Sequence, residues 1–332
     1  MKPISVLDAP RRPSDDRRRL GNVREGSYPL IAISGRAGKT TIGWMLVQLL
    51  EHAGREVAAW LSDGVYVDRE LRDDEIHAWE LATFAMRAGE IDCLVQEVPA
   101  VLAANLPACS LRMAILTNVC GADGECQRDA ESLRERSALE SVARSVAPHG
   151  TIVANADDSL VVRAAQSVDR RVIYYALNPS NPILLDHIRS GGSAVWIENG
   201  WVKAYDGRKR RRVLRVSEMP ATLAGSIIFQ VQNSLAAIAT VLGIGDGRGD
   251  ALSPLVSSCQ AGASLNRSGV WIRESPQGTI LVDKPESLLA VKQIVRGVRA
   301  YGYARAILLI DGFRQFDDAD AQEAARQFVD DV

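Results

Sequence analysis

Short, mostly apolar runs alternate with longer stretches of helical period through the first half of the chain. The runs cover residues 28–33, 56–61, 92–97, 112–118, 150–155 and 171–176. Runs of this length with apolar residues on both faces predict strands buried on both sides, as in a parallel sheet. Between them, residues 42–52, 74–89 and 130–146 predict helices, the first with Trp44, Val47 and Leu50 among its apolar positions. Repeated strand–helix units predict an α/β fold, a mostly parallel sheet covered by helices, with ligands beyond the C-terminal ends of the strands. Asp63, Glu97, Asn118 and Asn155 each close a different apolar run. The pattern therefore gathers four polar side chains at that one end of the sheet.

The rest of the chain reads differently. Residues 194–205 alternate around Asn199-Gly200, a strong hairpin signal, in which Trp196 and Trp201 are expected to brace the two strands. The basic run 208–212 is expected at the next turn; of two readings, a patch for acidic ligands or nucleic acid and a solvated hairpin loop, the loop is favoured. Residues 230–242 predict an alanine-rich helix, with Asn233 near its start and Gly243 at its end. After Gly249 come strands 270–273 and 279–282 around Ser275-Pro276-Gln277-Gly278, a helix 285–300, a strand 306–310 and an acidic helix from Asp317 onward. That is the opening of a second, partial α/β domain, read as truncated. Residues 1–27 are polar, with Pro3, Pro10, Pro13 and many arginines, and predict a disordered arm. The expected division is an arm 1–27, a central domain 28–249 with a hairpin subregion 192–216, and a partial domain 250–332.

Composition narrows the class only modestly. Across 332 residues, 47% are hydrophobic and 24% charged, as in a globular protein with sizeable cores. A net charge of −2 argues neither for nucleic acid nor for a membrane surface as partner. The cysteines, Cys93, Cys109, Cys120, Cys126 and Cys259, are odd in number and lack metal-type spacing, which predicts a reducing compartment and no metal cluster. His52, His77, His149 and His187 show no ligand spacing either. With no apolar segment long enough for a bilayer and no signal-peptide core at the N-terminus, the expected location is cytoplasmic.

The sharpest chemistry lies in Ser34-Gly35-Arg36-Ala37-Gly38-Lys39-Thr40-Thr41. A strand, a glycine-rich turn, Lys-Thr and a helix are what a phosphate-binding loop requires. The glycines let backbone N–H groups turn toward an anion, and the helix N-terminus adds partial positive charge. Lys39 is placed to reach the outer phosphates of a nucleotide, and the Thr40 hydroxyl to hold Mg²⁺. The loop departs from the longer standard form, which wants a glycine five residues before Gly38, where this chain has Ile33.

Taken together, the motifs resemble the Mur ligase superfamily, most of all the ligase half of cyanophycin synthetases, over residues 28–332. The loop is similar to the family's short form, Thr/Ser-Gly-x-x-Gly-Lys-Thr. Ser62-Asp63-Gly64-Val65-Tyr66 resembles its Thr-Asp-Gly-Val/Ile-Tyr, and Thr117-Asn118-Val119 its Thr-Asn-Ile/Val. Asn155-Ala156-Asp157-Asp158 resembles Asn-x-Asp-Asp, and Asn233-Ser234-Leu235-Ala236-Ala237 resembles Asn-x-Leu-Ala-Ala. The resemblance implies an ATP-dependent carboxylate–amine ligase acting through an acyl phosphate on a small carboxylate and an amino acid or peptide. It implies ATP contacts from Gly35, Arg36, Ala37, Gly38, Lys39, Thr40, Thr41, Asn233, Arg267 and Asp283, with Lys39 and Glu97 catalytic. It also implies Mg²⁺ on Thr40 and Glu97, with Asp123 as a further oxygen ligand.

Three departures bear on that implication. Ala122 and Asp123 stand where the family has Asp-His, Ser137 where it has a lysine that is often carbamylated, and Asp283-Lys284-Pro285 where it has a longer motif. Two expectations follow. The chain is a ligase, with a second chain supplying missing domains if it needs them, or it is an ATP-binding pseudoenzyme serving as a partner or regulatory subunit. No nucleic-acid or membrane partner is expected in either case.

Overall fold

The computed structural model describes residues 30–62, 64–67, 70–71, 91–106, 108, 111–119, 130–245, 250–257, 271–275, 278–282 and 288–302. The arm 1–27, the predicted helix 74–89, the strand 306–310, the acidic C-terminal helix, and Asp63, Ala122, Asp123, Arg267 and Asp283 lie outside the described residues.

Eleven strands form one sheet. In chain order they are β1 (Leu30–Ser34), β2 (Val57–Leu61), β3 (Gly64–Val67), β4 (Glu70–Leu71), β5 (Cys93–Glu97), β6 (Leu111–Leu116), β7 (Val146–Asn155), β8 (Arg171–Ala176), β9 (Ser193–Glu198), β10 (Trp201–Tyr205) and β11 (Arg210–Arg215). Their order across the sheet is β11-β10-β9-β8-β7-β6-β1-β5-β2-β3-β4. The strands from β9 through β1 to β2 run parallel; β3 and β4 at one edge, and β10 and β11 at the other, run antiparallel. The predicted α/β class and the mostly parallel sheet are thus what the chain forms.

Helices cover both faces because both faces of the central strands are apolar. On one side α1 (Lys39–His52) and α6 (Ile228–Ile244) pack over Ile31, Ile33, Val95, Ile115, Val153 and Ile173. On the other side α3 (Ala130–Ser145), α4 (Ser159–Gln166) and α5 (Pro182–Arg189) pack over Leu30, Ala32, Leu94, Ala114, Ile152 and Tyr174. A short α2 (Ala100–Ala103) packs on α3. Alternate residues of each strand thus serve opposite cores, the period-two signature of a pleated strand. Helix α1 is buried nearly all round, from Ile42 through Leu50, because it lies between the sheet and α6.

Several predicted boundaries shift, each for a local reason. Helix α1 begins at Lys39, three residues before the apolar pattern starts, because Gly38 caps it in the left-handed conformation at φ 86°. Helix α6 ends on Gly245, also left-handed at φ 95°; Gly243, the expected cap, lies inside the helix against Ile173. Strand β3 went unpredicted, although Asp63-Gly64 is a hairpin signal and β3 folds back antiparallel on β2. The hairpin at Asn199-Gly200 forms as predicted, with both residues at positive φ, 54° and 73°, as a tight two-residue turn needs. The basic run is not a solvated loop: its larger part is strand β11, the edge of the sheet. The predicted pair after Gly249 forms a separate two-stranded sheet, β12 (Trp271–Ser275) with β13 (Gly278–Val282). After it, α8 (Leu288–Tyr301) brings Gly297 against Ile227 at the start of α6. A five-residue helix, α7 (Ser253–Ser257), packs on α1.

No helix among the described residues is long and apolar enough to cross a membrane.

Candidate functional site

The site is built at the C-terminal ends of β1, β5, β2 and β6, which stand side by side in the order β6-β1-β5-β2. Parallel register continues past the strands. The Thr117 N–H donates to Ser34 O at 2.9 Å, and the Val98 N–H donates to Ile33 O at 2.8 Å. The glycine-rich loop therefore leaves β1 flanked on one side by Thr117-Asn118 and on the other by Glu97.

Asn118 holds the loop. The Ala37 N–H donates to its Oδ1 at 3.0 Å, its Nδ2 donates to Ala37 O at 3.2 Å, and the Arg36 N–H donates to Asn118 O at 2.8 Å. The Thr117 hydroxyl adds a fourth bond, donated to Ala37 O at 3.0 Å. Glycine is required at the point of closest approach. A Cβ on Gly35, at φ 134°, would lie 2.1 Å from Thr117 Oγ1 and within 2.9 Å of the Asn118 backbone. A Cβ on Gly38 would lie 2.3 Å from Asn233 Oδ1. That contact brings Asn233, 195 residues along the chain, onto the last glycine of the loop; its Nδ2 donates to Gln230 Oε1 at 3.2 Å.

Two features fit a phosphate-bearing ligand. The first turn of α1 has no side-chain cap and no acidic residue, so its positive end is not offset by a side chain of its own and favours an anion. Lys39 Nζ folds back onto the loop, donating to Gly35 O at 2.8 Å and Arg36 O at 3.2 Å. A cation parked on two neutral carbonyls gains by moving to phosphate oxygens, because charge-assisted bonds are the stronger kind.

The hydroxyls beside the loop suit a hard cation. Thr40 Oγ1 lies 3.1 Å from Ser62 Oγ, just past the end of β2. Glu97, 6% exposed, ends β5 between β1 and β2. Mg²⁺ takes a few protein oxygens together with phosphate and water, so one carboxylate and two hydroxyls make a reasonable protein share. Among the described residues no group of three or more His, Cys, Asp or Glu side chains is placed to hold a metal by itself. The motif at residues 62–66 assigns Ser62 no role; its place at a strand end beside the loop does.

The Asn155-Ala156-Asp157-Asp158 motif braces the site from behind. Asp158 is buried: its Oδ1 accepts from the Leu160 and Val161 N–H groups and caps α4, while its Oδ2 accepts from the Val119 N–H at 2.7 Å. Asp157 Oδ2 accepts from the Leu177 N–H at 2.6 Å, and Asn155 Oδ1 accepts from the Asp157 N–H. The Tyr175 hydroxyl donates to Thr117 O at 3.3 Å. Burial, with Asp158 and Asp157 nearby, pushes the Tyr175 pKa far up, so the phenol stays a donor at all working pH.

Of the residues predicted for the site, Gly35 through Thr41, Glu97 and Asn233 converge on one place. Ser137 is exposed on α3, with its carbonyl accepting from the Ser141 hydroxyl. Cys93 is buried in the core beneath α1.

No family model matches the chain. Cyanophycin synthetase of Synechocystis sp. is 30% identical over 213 residues, 63% of this chain and 24% of the relative. That of Geminocystis herdmanii is 27% identical over 277 residues, 81% of this chain and 31% of the relative. The chain thus spans about a quarter to a third of the length of the curated relatives it matches. Among solved structures, UDP-N-acetylmuramoyl-L-alanyl-D-glutamate–2,6-diaminopimelate ligase aligns over 96% of this chain and 63% of its own, with TM-score 0.62 and 15% identity. A bifunctional folylpolyglutamate synthase/dihydrofolate synthase with Mn, AMPPNP and L-glutamate bound aligns over 95% of this chain and 77% of its own, with TM-score 0.56 and 14% identity. In sequence this chain is a relative of the cyanophycin synthetases, and in architecture it has the fold of the Mur ligase superfamily.

Proposed function

We propose that the chain binds Mg-ATP on the loop 35–41 and is the nucleotide-binding part of an ATP-dependent carboxylate–amine ligase. One observation carries the reading: a loop held by Asn118 at Arg36 and Ala37, with Asn233 lying against Gly38, presents Lys39 and Thr40 beside Ser62 and Glu97 at the C-terminal edge of a parallel sheet. Among the fold neighbours, the folylpolyglutamate synthase structure holds Mn, AMPPNP and L-glutamate, a metal, a nucleotide and an amino acid together.

On this reading Lys39 leaves the carbonyls of Gly35 and Arg36 for the outer phosphates. Thr40, Ser62 and Glu97 would hold a divalent metal, which would supply charge neutralisation at the phosphates. A substrate carboxylate oxygen attacks the γ-phosphorus of ATP as ADP leaves, and an amine then attacks the acyl carbon, losing a proton as phosphate departs, to leave an amide. Carboxylate oxygen is a poor leaving group and phosphate a good one, so the residues named here need only position the reactants and offset charge. Arg267, Asp283 and Asp123 complete the assignment as further ATP and metal contacts.

A second reading, a nucleotide-binding partner without turnover, draws on one observation: position 137, exposed on α3, is a serine, which can form no carbamate and carries no carboxylate for a second metal. A phosphate-release screen against amino acids and dipeptides separates the two. The ligase reading predicts that some acid–amine pair raises phosphate release from ATP and that Lys39→Ala abolishes the increase. ATP binding with no stimulation by any pair, in the presence of the relatives' additional domains, would favour the partner reading.

A further inference from the structure

The edge strand β11 carries Arg210, Arg211, Arg212 and Arg215, and Arg208 and Lys209 immediately precede it. Register places Arg210 opposite Tyr205, Arg212 opposite Lys203 and, past an irregularity, Arg215 opposite Trp201. All three arginines therefore share one face, and all three are exposed. Each stacks on an indole: the Arg210 guanidinium lies 5.7 Å from the Trp196 ring centre, and those of Arg212 and Arg215 lie 5.3 and 4.7 Å from that of Trp201. A guanidinium held over an indole keeps its N–H donors, which suit a planar anion such as a carboxylate.

Nearby acids are already committed. Glu198 pairs with Lys203, Glu218 Oε2 accepts from the Arg215 backbone N–H, and Asp206 Oδ1 accepts from the backbone N–H groups of Arg208 and Lys209. Among the described residues no carboxylate forms an ion pair with any of these arginines. Arg212 stands directly across from Lys203, whose charge Glu198 already meets, so the contact of Arg212 on that face is with the Trp201 ring. Such an arrangement suits an anion from outside.

We propose that β11 is a docking edge for an extended acidic polypeptide, which adds a strand to the sheet and sets carboxylates on Arg210 and Arg212. β11 ends the sheet order, so among the described residues its outer backbone edge has no partner strand. Alternate residues of an incoming strand repeat at about 6.6–6.8 Å, the same repeat that separates Arg210 from Arg212. Nucleic acid fits less well, because base stacking needs an open ring face. Trp196 is 3% exposed, and the Trp201 ring already carries two guanidiniums. The edge lies six strand spacings from β1, roughly 29 Å, so docking there leaves the nucleotide loop clear.

Fluorescence anisotropy of the full chain with a labelled decapeptide of alternating Asp and Thr tests the proposal. The expected result is saturable binding that weakens with salt, and weaker binding of a peptide of the same composition with its Asp residues in one block. Arg210→Glu/Arg212→Glu should lower affinity roughly tenfold or more, the scale of at least one lost charge-assisted hydrogen bond. That variant keeps the edge charged, so a role of the arginines only in preventing edge-to-edge pairing would predict no difference from wild type. Arg210→Lys/Arg212→Lys keeps the charge but loses fork and stack, and should show an intermediate loss; it carries the test should the Glu variant fail to fold. Equal binding of the alternating and block peptides, equal binding by the variants, or tighter binding of single-stranded DNA of matched length would overturn the proposal.

Discussion

Asn118 grips Ala37 from both sides, its carbonyl oxygen accepting the Ala37 N–H at 3.0 Å and its amide donating to Ala37 O at 3.2 Å. One side chain thus replaces the two bonds a neighbouring strand would have made, and it does so where the chain has left β1 and needs a fixed curve. The loop's shape is imposed from β6, not generated by the loop alone.

Removing that grip should weaken nucleotide binding more than folding. Asn118→Ala loses two partly exposed bonds, each worth about 1 kcal/mol. Calorimetry should show Mg-ATP affinity reduced roughly five- to thirtyfold, with the urea midpoint nearly unchanged. An unaltered affinity would mean that the loop holds its form without Asn118.

Gly38 and Asn233 should be energetically coupled. Gly38→Ala forces a left-handed alanine, costing about 1–2 kcal/mol, and sets its Cβ against Asn233 Oδ1. Asn233→Ala removes the clashing oxygen. The double variant should therefore be more stable than the sum of the single changes predicts, by about 0.5–3 kcal/mol in a denaturation cycle. Strict additivity would show that the two residues do not touch in solution.

Asp158 ties the start of α4 to the segment after β6. Asp158→Ala strands the Val119, Leu160 and Val161 N–H groups and should cost about 2–4 kcal/mol of stability in chemical denaturation. Asp158→Asn keeps one accepting oxygen and should lose less. Equal losses in the two variants would assign the effect to packing.

His187 gives a pH dependence of known sign. Burial lowers its pKa from the usual value, against the opposing pull of hydrogen bonds to the Val172 and Ser193 carbonyls. The unfolded chain therefore binds the proton more readily. His187 contributes stability above the unfolded pKa of about 6.5, and that contribution is lost as pH falls from there through the lower folded value. Urea midpoints between about pH 5 and 8 should decline on the acid side. His187→Phe, which keeps the edge-on packing against Tyr174, should flatten that decline; an unchanged slope would place its origin elsewhere.

The sequence carried the sheet and the loop because both are encoded locally, by runs of apolar residues and by glycines at fixed offsets. It carried less of what depends on distant pairing. Nothing near Gly38 announces that Asn233 will lie on it. The role of Ser62 depends on β2 standing one strand beyond β5, an order that crossover connections set. The basic run was misread as a loop because arginine is a poor strand signal; β11 exists because Val213 and Leu214 pack inward and Trp196 and Trp201 offer rings to the arginines. Strand β3 shows the reverse: its Asp63-Gly64 signal was present, and its apolar run was too short to stand out.

The central claim, that the loop 35–41 is a working nucleotide site, is tested most directly by titrating Mg-ATP into the wild type and Lys39→Ala by calorimetry. The account predicts one site in the wild type and an affinity lowered roughly 10- to 150-fold in Lys39→Ala, the loss of a charge-assisted hydrogen bond to phosphate. No Mg-ATP binding by the wild type, or equal affinity in the two proteins, would contradict it.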